Sequence, residues 1–143
     1  GKEKKAVMIT EVESYDGPRD GASHARFGRT KRNEIMFGPA GYWYVYFVYG
    51  MHWMLNIVTG PKNFPAAILI RSSREIQGPA RLTKILQING DFNGKLASKE
   101  IGLWIEDRGI GVNKNQILAG PRIGVEYAGA EWAKKPYRLS LSY

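Results

Sequence analysis

The residues best suited to chemistry in this chain are a carboxylate, a histidine and several tyrosines in two short stretches. Glu13 and Tyr15 belong to the run Glu-Ser-Tyr-Asp-Gly-Pro, which His24 follows, and Tyr44 and Tyr46 stand two apart in the run Tyr-Trp-Tyr-Val-Tyr-Phe-Val. A carboxylate can deprotonate a water molecule and stabilise positive charge that develops on a reacting carbon. Tyrosine rings can stack on a flat aromatic ring. Together these residue types indicate hydrolysis at an aromatic ring held against tyrosines.

The net charge of the chain indicates what kind of partner carries such a ring. The 143 residues include 21 Lys and Arg against 13 Asp and Glu, which gives a formal net charge of +8 at pH 7. Basic side chains displace counterions from phosphates, so this excess favours a polyanion such as nucleic acid. A solvated basic surface would give the same count, and charge alone therefore leaves the question open.

Cysteine content and histidine spacing exclude several classes of site. The chain contains no cysteine, which rules out disulfides, zinc–thiolate sites, iron–sulfur clusters and a cysteine nucleophile. Its two histidines, His24 and His52, lack the spacing of metal ligands. We therefore expect no metal and no cofactor. The length and the 43% hydrophobic content predict one globular domain over residues 1–143.

Hydropathy predicts a protein without a membrane partner. No apolar stretch approaches the ~20 residues that a membrane-spanning helix needs, and the charged start lacks the apolar segment of a signal peptide. The sequence therefore predicts an intracellular protein, in the cytoplasm or nucleoid of a prokaryote or in the nucleus of a eukaryote.

The elements that must position these residues are mostly strands. Alternation over residues 6–15 predicts a strand that directs Glu11, Glu13 and Tyr15 to one face, and Asp-Gly-Pro ends it. Residues 42–49 and 52–59 predict an antiparallel hairpin with its tip at 49–51, because aromatic and β-branched residues lie on both sides of a glycine.

The remaining elements are predicted from turn residues and apolar spacing. Residues 19–33 are expected to be irregular or a short helix, and residues 123–127 a loop or short strand. A helix begins at Pro79, since proline favours the first helical position. Further strands are expected at 66–72, 103–106 and 136–141.

The order of several short motifs resembles one known family. The motifs are E-x-Y-x-G-P, H-A-R, G-R-T, R-N, M-F-G, Y-x-Y-x-x-Y-G-M-H and N-I-V, followed by an isoleucine-rich strand that ends in arginine. In this order they resemble the alkyladenine (3-methyladenine) DNA glycosylases, over about residues 9–93 and again over 120–139. The chain departs from the family pattern after Arg71, where its connection to Gly78 is shorter.

The resemblance implies a fold and a reaction. The fold is a mixed α/β single domain with a curved antiparallel β-sheet, flanking helices and a β-hairpin that inserts into DNA. The reaction is base-excision repair without a cofactor. A monomer binds double-stranded DNA that contains damaged purines and flips an alkylated or deaminated purine out of the duplex. Activated water then hydrolyses the N-glycosidic bond and leaves an abasic site. No lysine lies in a motif for Schiff-base chemistry, so strand cleavage is not expected.

The resemblance also assigns roles to individual residues. Glu13 corresponds to the general base, with Glu11 on the same strand face as its competitor. Arg71 helps to position the catalytic water, together with backbone near Val125. The implied base pocket consists of Tyr15, His24, Tyr44, Tyr46 and Asn56. The implied DNA-intercalating tip consists of Tyr49, Met51 and His52, and the candidate phosphate contacts are Arg29, Lys31, Arg32 and Arg81.

Two other functions remain compatible with parts of the sequence. A non-catalytic nucleic-acid-binding domain of the same fold would keep the basic surface and the tyrosines, but it would not need a carboxylate beside a polyanion. A small glycoside hydrolase would use Glu11 and Glu13, but that mechanism requires carboxylates that face each other across a gap. Neighbours on one strand face the same way, which disfavours the second alternative.

Overall fold

Six strands form one open sheet in the computed structural model, which describes residues 4–142. The strands are β1 (Ile9–Asp16), β2 (Trp43–Val48), β3 (His52–Val58), β4 (Ala66–Ser73), β5 (Ile117–Gly120) and β6 (Arg138–Leu141). The helices are α1 (Pro79–Ile85) and α2 (Gly129–Ala133), and 3-10 turns occur at Glu34–Phe37, Gly90–Phe92, Lys114–Gln116 and Glu126–Ala128. The strand order is β2-β3-β4-β1-β6-β5 with every pair antiparallel. The predicted mixed α/β class with an antiparallel sheet is therefore confirmed.

The register of the strands lines up one row of side chains across four strands. Glu13 of β1 pairs with Leu69 of β4, Leu69 pairs with Asn56 of β3, and Asn56 pairs with Tyr44 of β2. Side chains alternate between the faces of a strand, so the residues two positions further along β1 and β2 lie on the same face. We call the face that carries this row the site face.

The opposite face of the sheet carries a separate hydrophobic core. Trp43 and Val45 of β2 pack there with Leu55 of β3 and Ile70 of β4, and Leu82 of α1 belongs to the same cluster. Burial of a large apolar side chain stabilises a fold by about 1.5–3 kcal/mol. This core therefore anchors the strands whose other face carries the polar row.

The segment between β1 and β2 covers the site face. Met36 and Phe37 of its 3-10 turn are buried in one cluster with Tyr44. Gly17 opens the segment at φ 81, where an added Cβ would lie 2.3 Å from the Phe64 ring. Only glycine combines this left-handed backbone with so close an approach, so the turn after β1 depends on it.

The turn between β2 and β3 forms the predicted hairpin tip. The Met51 N–H donates to the Val48 carbonyl at 3.1 Å, and Tyr49 and Gly50 both adopt left-handed backbone, with φ 54 and φ 66. Left-handed φ is common for glycine and uncommon for a residue as bulky as tyrosine. The hairpin itself is confirmed, and its tip holds an unusual tyrosine conformation.

Two sequence-based predictions about elements are wrong in detail, and one strand was not predicted at all. No strand forms at 103–106: Leu103 makes one isolated bridge with Ser98, and the residues that follow have no neighbouring strand to pair with. The first strand begins at Ile9 rather than at residue 6. The edge strand β5 was not predicted, because its four residues are largely exposed and carry no alternating pattern.

Candidate active site

Glu13 is the most deeply buried carboxylate of the site face. Its side chain is 1% exposed, and it accepts a hydrogen bond at Oε2 from the Ile123 N–H at 2.7 Å. The Tyr15 hydroxyl donates to Oε1 at 3.1 Å, and Arg71 Nη1 lies 3.6 Å from the same oxygen. Burial of a carboxylate is costly unless it is paired and hydrogen-bonded, and these groups supply both kinds of contact. The structure therefore holds one fixed carboxylate beside tyrosine.

Arg71 lies between two carboxylates. In addition to its contact with Glu13, its Nε lies 3.7 Å from Glu11 Oε2. Glu11 accepts further hydrogen bonds from Ser72 Oγ at 2.9 Å and from Arg138 Nη1 at 3.1 Å. Arg71 Nε is buried and has no hydrogen-bond partner within residues 4–142. Glu11 is thus occupied by structural partners and orients the arginine, whereas Glu13 faces the tyrosines.

One small cleft opens on the site face. It is lined by Tyr15, His24, Met36, Tyr44, Tyr46 and Asn56. The structure thus brings all five predicted pocket residues together, although they come from β1, β2, β3 and the segment between β1 and β2. Met36 was not predicted, because a buried methionine in an apolar run looks like an ordinary core residue.

The rings of the cleft hold each other in place. His24 packs edge-on against Tyr46 with ring centroids 4.4 Å apart, and Tyr44 lies tilted beside Tyr46 at 5.2 Å. His24 Nδ1 and the Tyr44 hydroxyl form a hydrogen bond of 3.1 Å. Asn56 contributes an amide that donates to the Tyr44 carbonyl at 3.2 Å. The cleft is therefore a fixed aromatic wall with a polar floor.

The tyrosine hydroxyls of the cleft remain protonated. Burial raises the pKa of Tyr15 and Tyr46 far above the usual range, and the nearby negative charge of Glu13 raises both further. Burial also raises the pKa of Tyr44 to about 12. A neutral phenol can donate a hydrogen bond and stack on a flat ring, so these side chains supply shape and donors rather than negative charge.

His24 is neutral at physiological pH. Burial, together with the positive charges of Arg32 and Arg26, lowers its pKa to about 4. A neutral imidazole offers one donor and one acceptor. The loop that carries it is fixed by Asn33, whose amide donates to the His24 carbonyl at 3.1 Å and to the Gly28 carbonyl at 2.9 Å.

The lowered pKa of His24 makes stability depend on pH. Because its pKa is about 4 in the folded chain and 6.5 ordinarily, the unfolded chain binds more protons between these values. The contribution of this group to the free energy of unfolding should be fully present well above pH 6.5. It should be lost as pH falls toward 4, on the order of 3 kcal/mol. Urea unfolding across this range should show that His24→Gln removes that part of the slope. His52→Gln, outside the cleft, is the matched control, and an equal effect of both variants would contradict the account.

A buried ion pair fixes the loops around Glu13. Arg122 and Asp20 have fully buried side chains and form a two-pronged contact, with Nη1–Oδ2 at 2.6 Å and Nη2–Oδ1 at 2.8 Å. Arg122 also donates to the carbonyls of Ser14 on β1 at 2.9 Å and Trp132 on α2 at 3.3 Å. One guanidinium thus joins β1, the turn after β1 and α2.

Arg122 also packs against two tyrosine rings, one of which belongs to the cleft. Its guanidinium carbon lies 5.0 Å from the centre of the Tyr15 ring and 5.1 Å from that of Tyr137. The next residue, Ile123, is the one whose N–H donates to Glu13. Neither Asp20 nor Arg122 was predicted from the sequence, since they lie far apart in the chain. The run Pro-Arg-Ile-Gly-Val at residues 121–125 contains Arg122, but the family resemblance assigns a role in this run to Val125 alone.

Val125 lies close to the site in sequence but is engaged elsewhere. It is buried, and its carbonyl accepts from the Ala128 N–H at 2.9 Å. The backbone group that reaches Glu13 belongs to Ile123. The predicted role of Val125 backbone at the catalytic water stays a prediction.

The candidate DNA-contacting residues include the tip of the hairpin between β2 and β3 and the basic residues at 29–32. Tyr49 is 88% exposed and Met51 66% exposed at the hairpin tip, which His52 closes. Arg32 donates to the Phe47 carbonyl at 2.9 Å and lies 5.8 Å from the Tyr46 ring. Arg32 therefore connects the basic residues at 29–32 to strand β2 of the hairpin.

The other basic candidates are exposed. Arg29 donates to Asn63 Oδ1 at 2.9 Å, and Lys31 stands beside Arg32 on the surface. Arg81 lies on α1, which packs against the opposite face of the sheet, so the structure does not bring it to the cleft. Its predicted phosphate contact stays a prediction.

Residues 4–142 offer neither a metal-binding cluster nor a membrane-spanning helix. No group of three or more histidine, aspartate or glutamate side chains is arranged there to hold a metal ion. No helix in this part of the chain is long and apolar enough to cross a membrane.

Comparison with known proteins identifies one family. A family model described as Methylpurine-DNA glycosylase (MPG) matches residues 1–77 and 73–142. The two matches overlap at residues 73–77, in the connection between Arg71 and Gly78. Together they extend over nearly all of the chain.

Bacterial relatives show the same similarity. A protein of Anaeromyxobacter dehalogenans (strain 2CP-C) named "Putative 3-methyladenine DNA glycosylase" is 43% identical over 150 residues, which cover 99% of this chain and 70% of the relative. A protein of the same name from Myxococcus xanthus is 40% identical over 149 residues, covering 97% of this chain and 75% of the relative. A protein of the same name from Rickettsia rickettsii is 53% identical over 96 residues, which cover 62% of this chain and 52% of the relative.

Proposed function

The chain belongs to the methylpurine-DNA glycosylase family, and from this premise we propose that it removes alkylated or deaminated purines from double-stranded DNA. It acts as a monomer of one domain, flips the damaged nucleotide out of the duplex and hydrolyses its N-glycosidic bond with water. The product is an abasic site. The proposed reaction takes place in the compartment that contains the DNA, which is the nucleoid of a prokaryote or the nucleus of a eukaryote.

One observation carries the proposal: a fully buried carboxylate adjoins a cleft of neutral aromatic rings. A binding surface needs rings and positive charge, but it gains nothing from Glu13 beneath them. Hydrolysis of a glycosidic bond builds positive charge on the sugar, and a fixed carboxylate stabilises that charge and accepts a proton from water. The hydrogen bond from Ile123 and the contact with Arg71 fix the carboxylate in one position, which supports this role.

The residues of the cleft have distinct proposed roles. Tyr15 and Tyr46 stack on the flipped base, and Tyr44 orients His24, which contacts the base as a neutral imidazole. Purines alkylated at N3 of adenine or N7 of guanine carry positive charge, and aromatic faces attract cations. Asn56 on the floor helps to exclude guanine by crowding its exocyclic amine. Arg71 keeps the attacking water beside Glu13.

The proposed enzyme is monofunctional. The residues that line the cleft include no lysine, so no amine is placed to attack the sugar in place of water. Cleavage of the DNA strand should therefore require alkali after the base has left.

Incubation with a duplex that contains a single modified purine tests this function. Free base should accumulate together with an equal amount of alkali-labile sites, and an undamaged duplex should give neither. The assay uses several alkylated and deaminated purines, one in each duplex. Tight binding of lesion DNA without base release would favour the non-catalytic nucleic-acid-binding alternative.

The hairpin tip supports a further part of the proposal, namely how the base is flipped. Tyr49 is 88% exposed and held at φ 54, a conformation that costs energy for a non-glycine residue. A rigid aromatic side chain that projects from a hairpin can fill the gap left by a flipped nucleotide. We therefore assign Tyr49 as the intercalating residue, with Met51 and His52 beside it.

Tyr49→Ala should slow excision in a manner that depends on base pairing. Unstacking costs a few kcal/mol, so loss of the wedge should slow excision about ten-fold or more for a stably paired lesion and much less for a mispaired one. Single-turnover rates on the two duplexes measure the difference. Tyr49→Phe keeps the ring and should behave like the native chain, whereas equal losses on both duplexes would show that Tyr49 is only a turn residue.

A further inference from the structure

A second exposed aromatic group lies beside the cleft, and neither the proposed chemistry nor the hairpin uses it. The guanidinium carbon of Arg26 lies 4.5 Å from the centre of the Phe27 ring and 5.1 Å from that of the Tyr127 ring. Phe27 is 85% exposed and Tyr127 is 60% exposed. We call these three side chains the aromatic–arginine stack.

The stack is bound to the loop that carries His24. Tyr127 donates from its hydroxyl to the Ala22 carbonyl at 2.9 Å, and Arg26 donates from Nη1 to the Ser23 carbonyl at 3.1 Å. The charge of Arg26 also contributes to the lowered pKa of His24. These contacts place the stack at the rim of the cleft and fix its two inner members.

Phe27 is the outer member and has a free face. A Cβ added to the next residue, Gly28, would meet no atom within 4 Å, so this part of the loop faces open space. Arg26 occupies one side of the phenyl ring. An exposed phenyl beside a cation in a basic loop suits a partner that offers both a flat ring and negative charge.

Nucleic acid is the partner that matches these features. Phe27 stands within a run that also contains Arg26, Arg29, Lys31 and Arg32. Stacking of a base on an aromatic side chain together with cations along the backbone is how proteins bind unpaired nucleic-acid strands. A nucleotide that enters the cleft brings the adjoining part of its own strand across the rim, and flipping disturbs the stacking of its neighbour.

We propose that a base of the lesion strand, adjacent to the flipped nucleotide, stacks on the free face of Phe27. The stack is then a DNA-binding surface distinct from the hairpin tip: Tyr49 fills the gap in the duplex, and Phe27 holds the strand outside it. This inference rests on the proposed function for the identity of the flipped nucleotide. It adds a contact that determines affinity for the distorted duplex.

Substitutions of Phe27 test the proposal, because a side chain this exposed can be changed without loss of the fold. Phe27→Ala should raise the DNA concentration that half-saturates single-turnover excision about ten-fold, the size expected for one base–aromatic stack. The maximal rate should change less than about two-fold. Phe27→Trp should retain native affinity, and Phe27→Leu should resemble Phe27→Ala because it lacks a flat ring. The matched control is Leu118→Ala, which removes an exposed apolar side chain from β5 at the far edge of the sheet.

Salt dependence separates stacking from charge. The slope of log affinity against log salt should be unchanged in Phe27→Ala, since no phosphate contact is lost. Native affinity in Phe27→Ala, native affinity in Phe27→Leu, or an equal loss in Leu118→Ala would each overturn the proposal. Binding to the same duplexes by fluorescence anisotropy can be measured even if the native chain releases no base. Failure of the proposed function is thereby distinguished from failure of the stack.

Discussion

Glu13→Gln should reduce the single-turnover rate of base release by at least about 10³-fold while binding of a lesion duplex stays near the native level. An amide neither deprotonates water nor stabilises positive charge on the sugar, and each effect contributes about 10²-fold or more. Glutamine has nearly the same size and keeps an oxygen that can accept the 2.7 Å hydrogen bond from Ile123. Rapid-quench assays and anisotropy titrations on one duplex measure the two quantities.

Glu11→Gln is the matched control for this prediction. Glu11 stands on the same strand and also contacts Arg71, but its oxygens are engaged by Ser72 and Arg138. Its replacement loosens Arg71 without removing the base, so the rate should fall no more than about ten-fold. If Glu11→Gln lost activity and Glu13→Gln retained it, the assignment of the general base would be wrong.

Arg122→Met should lower the free energy of unfolding by about 3–5 kcal/mol, because it leaves Asp20 buried and charged without its partner. Burial opposes the charged form of both groups, but their mutual hydrogen bonds and attraction hold the pKa of the Asp20 carboxyl below its usual range and the pKa of Arg122 above it. Both groups are therefore charged at neutral pH. Urea unfolding at pH 7 measures the loss. The variant should also lose activity when folded, since Ile123 follows directly and orients Glu13.

Two further variants show whether the effect arises from the pair. Asp20→Asn combined with Arg122→Met removes both charges. The free energy of unfolding of this double variant should fall by less than the sum of the losses in the two single variants. Arg108→Met breaks the exposed contact between Arg108 and Glu106 and should leave the unfolding midpoint unchanged. Additive losses in the double variant would show that Asp20 and Arg122 do not act as a pair.

Local sequence patterns predicted the parts of the site that lie within single strands. The period of two along β1 correctly places Glu13 and Tyr15 on one face, and the hairpin was predicted from aromatic and β-branched residues around Gly50. The five pocket residues came from the family resemblance, and the structure brings them into one cleft.

Contacts between distant parts of the chain could not be predicted in this way. Asp20 and Arg122 are 102 residues apart, and their sequence neighbourhoods contain no shared period or turn signal. The hydrogen bond from Ile123 to Glu13 depends on that same pairing. The strand expected at 103–106 failed for the opposite reason: its apolar pattern suits a strand, but the fold offers it no partner beyond one bridge.

Release of base from a duplex with one modified purine, by the native chain and by Glu13→Gln, tests the central claim most directly. Mass spectrometry of the free base together with alkali cleavage of the remaining strand reports both products of hydrolysis. The account predicts equal amounts of free purine and abasic site with the native chain, and neither above background with Glu13→Gln. Base release that survives in Glu13→Gln, or lesion binding by the native chain with no release from any damaged purine, would contradict it.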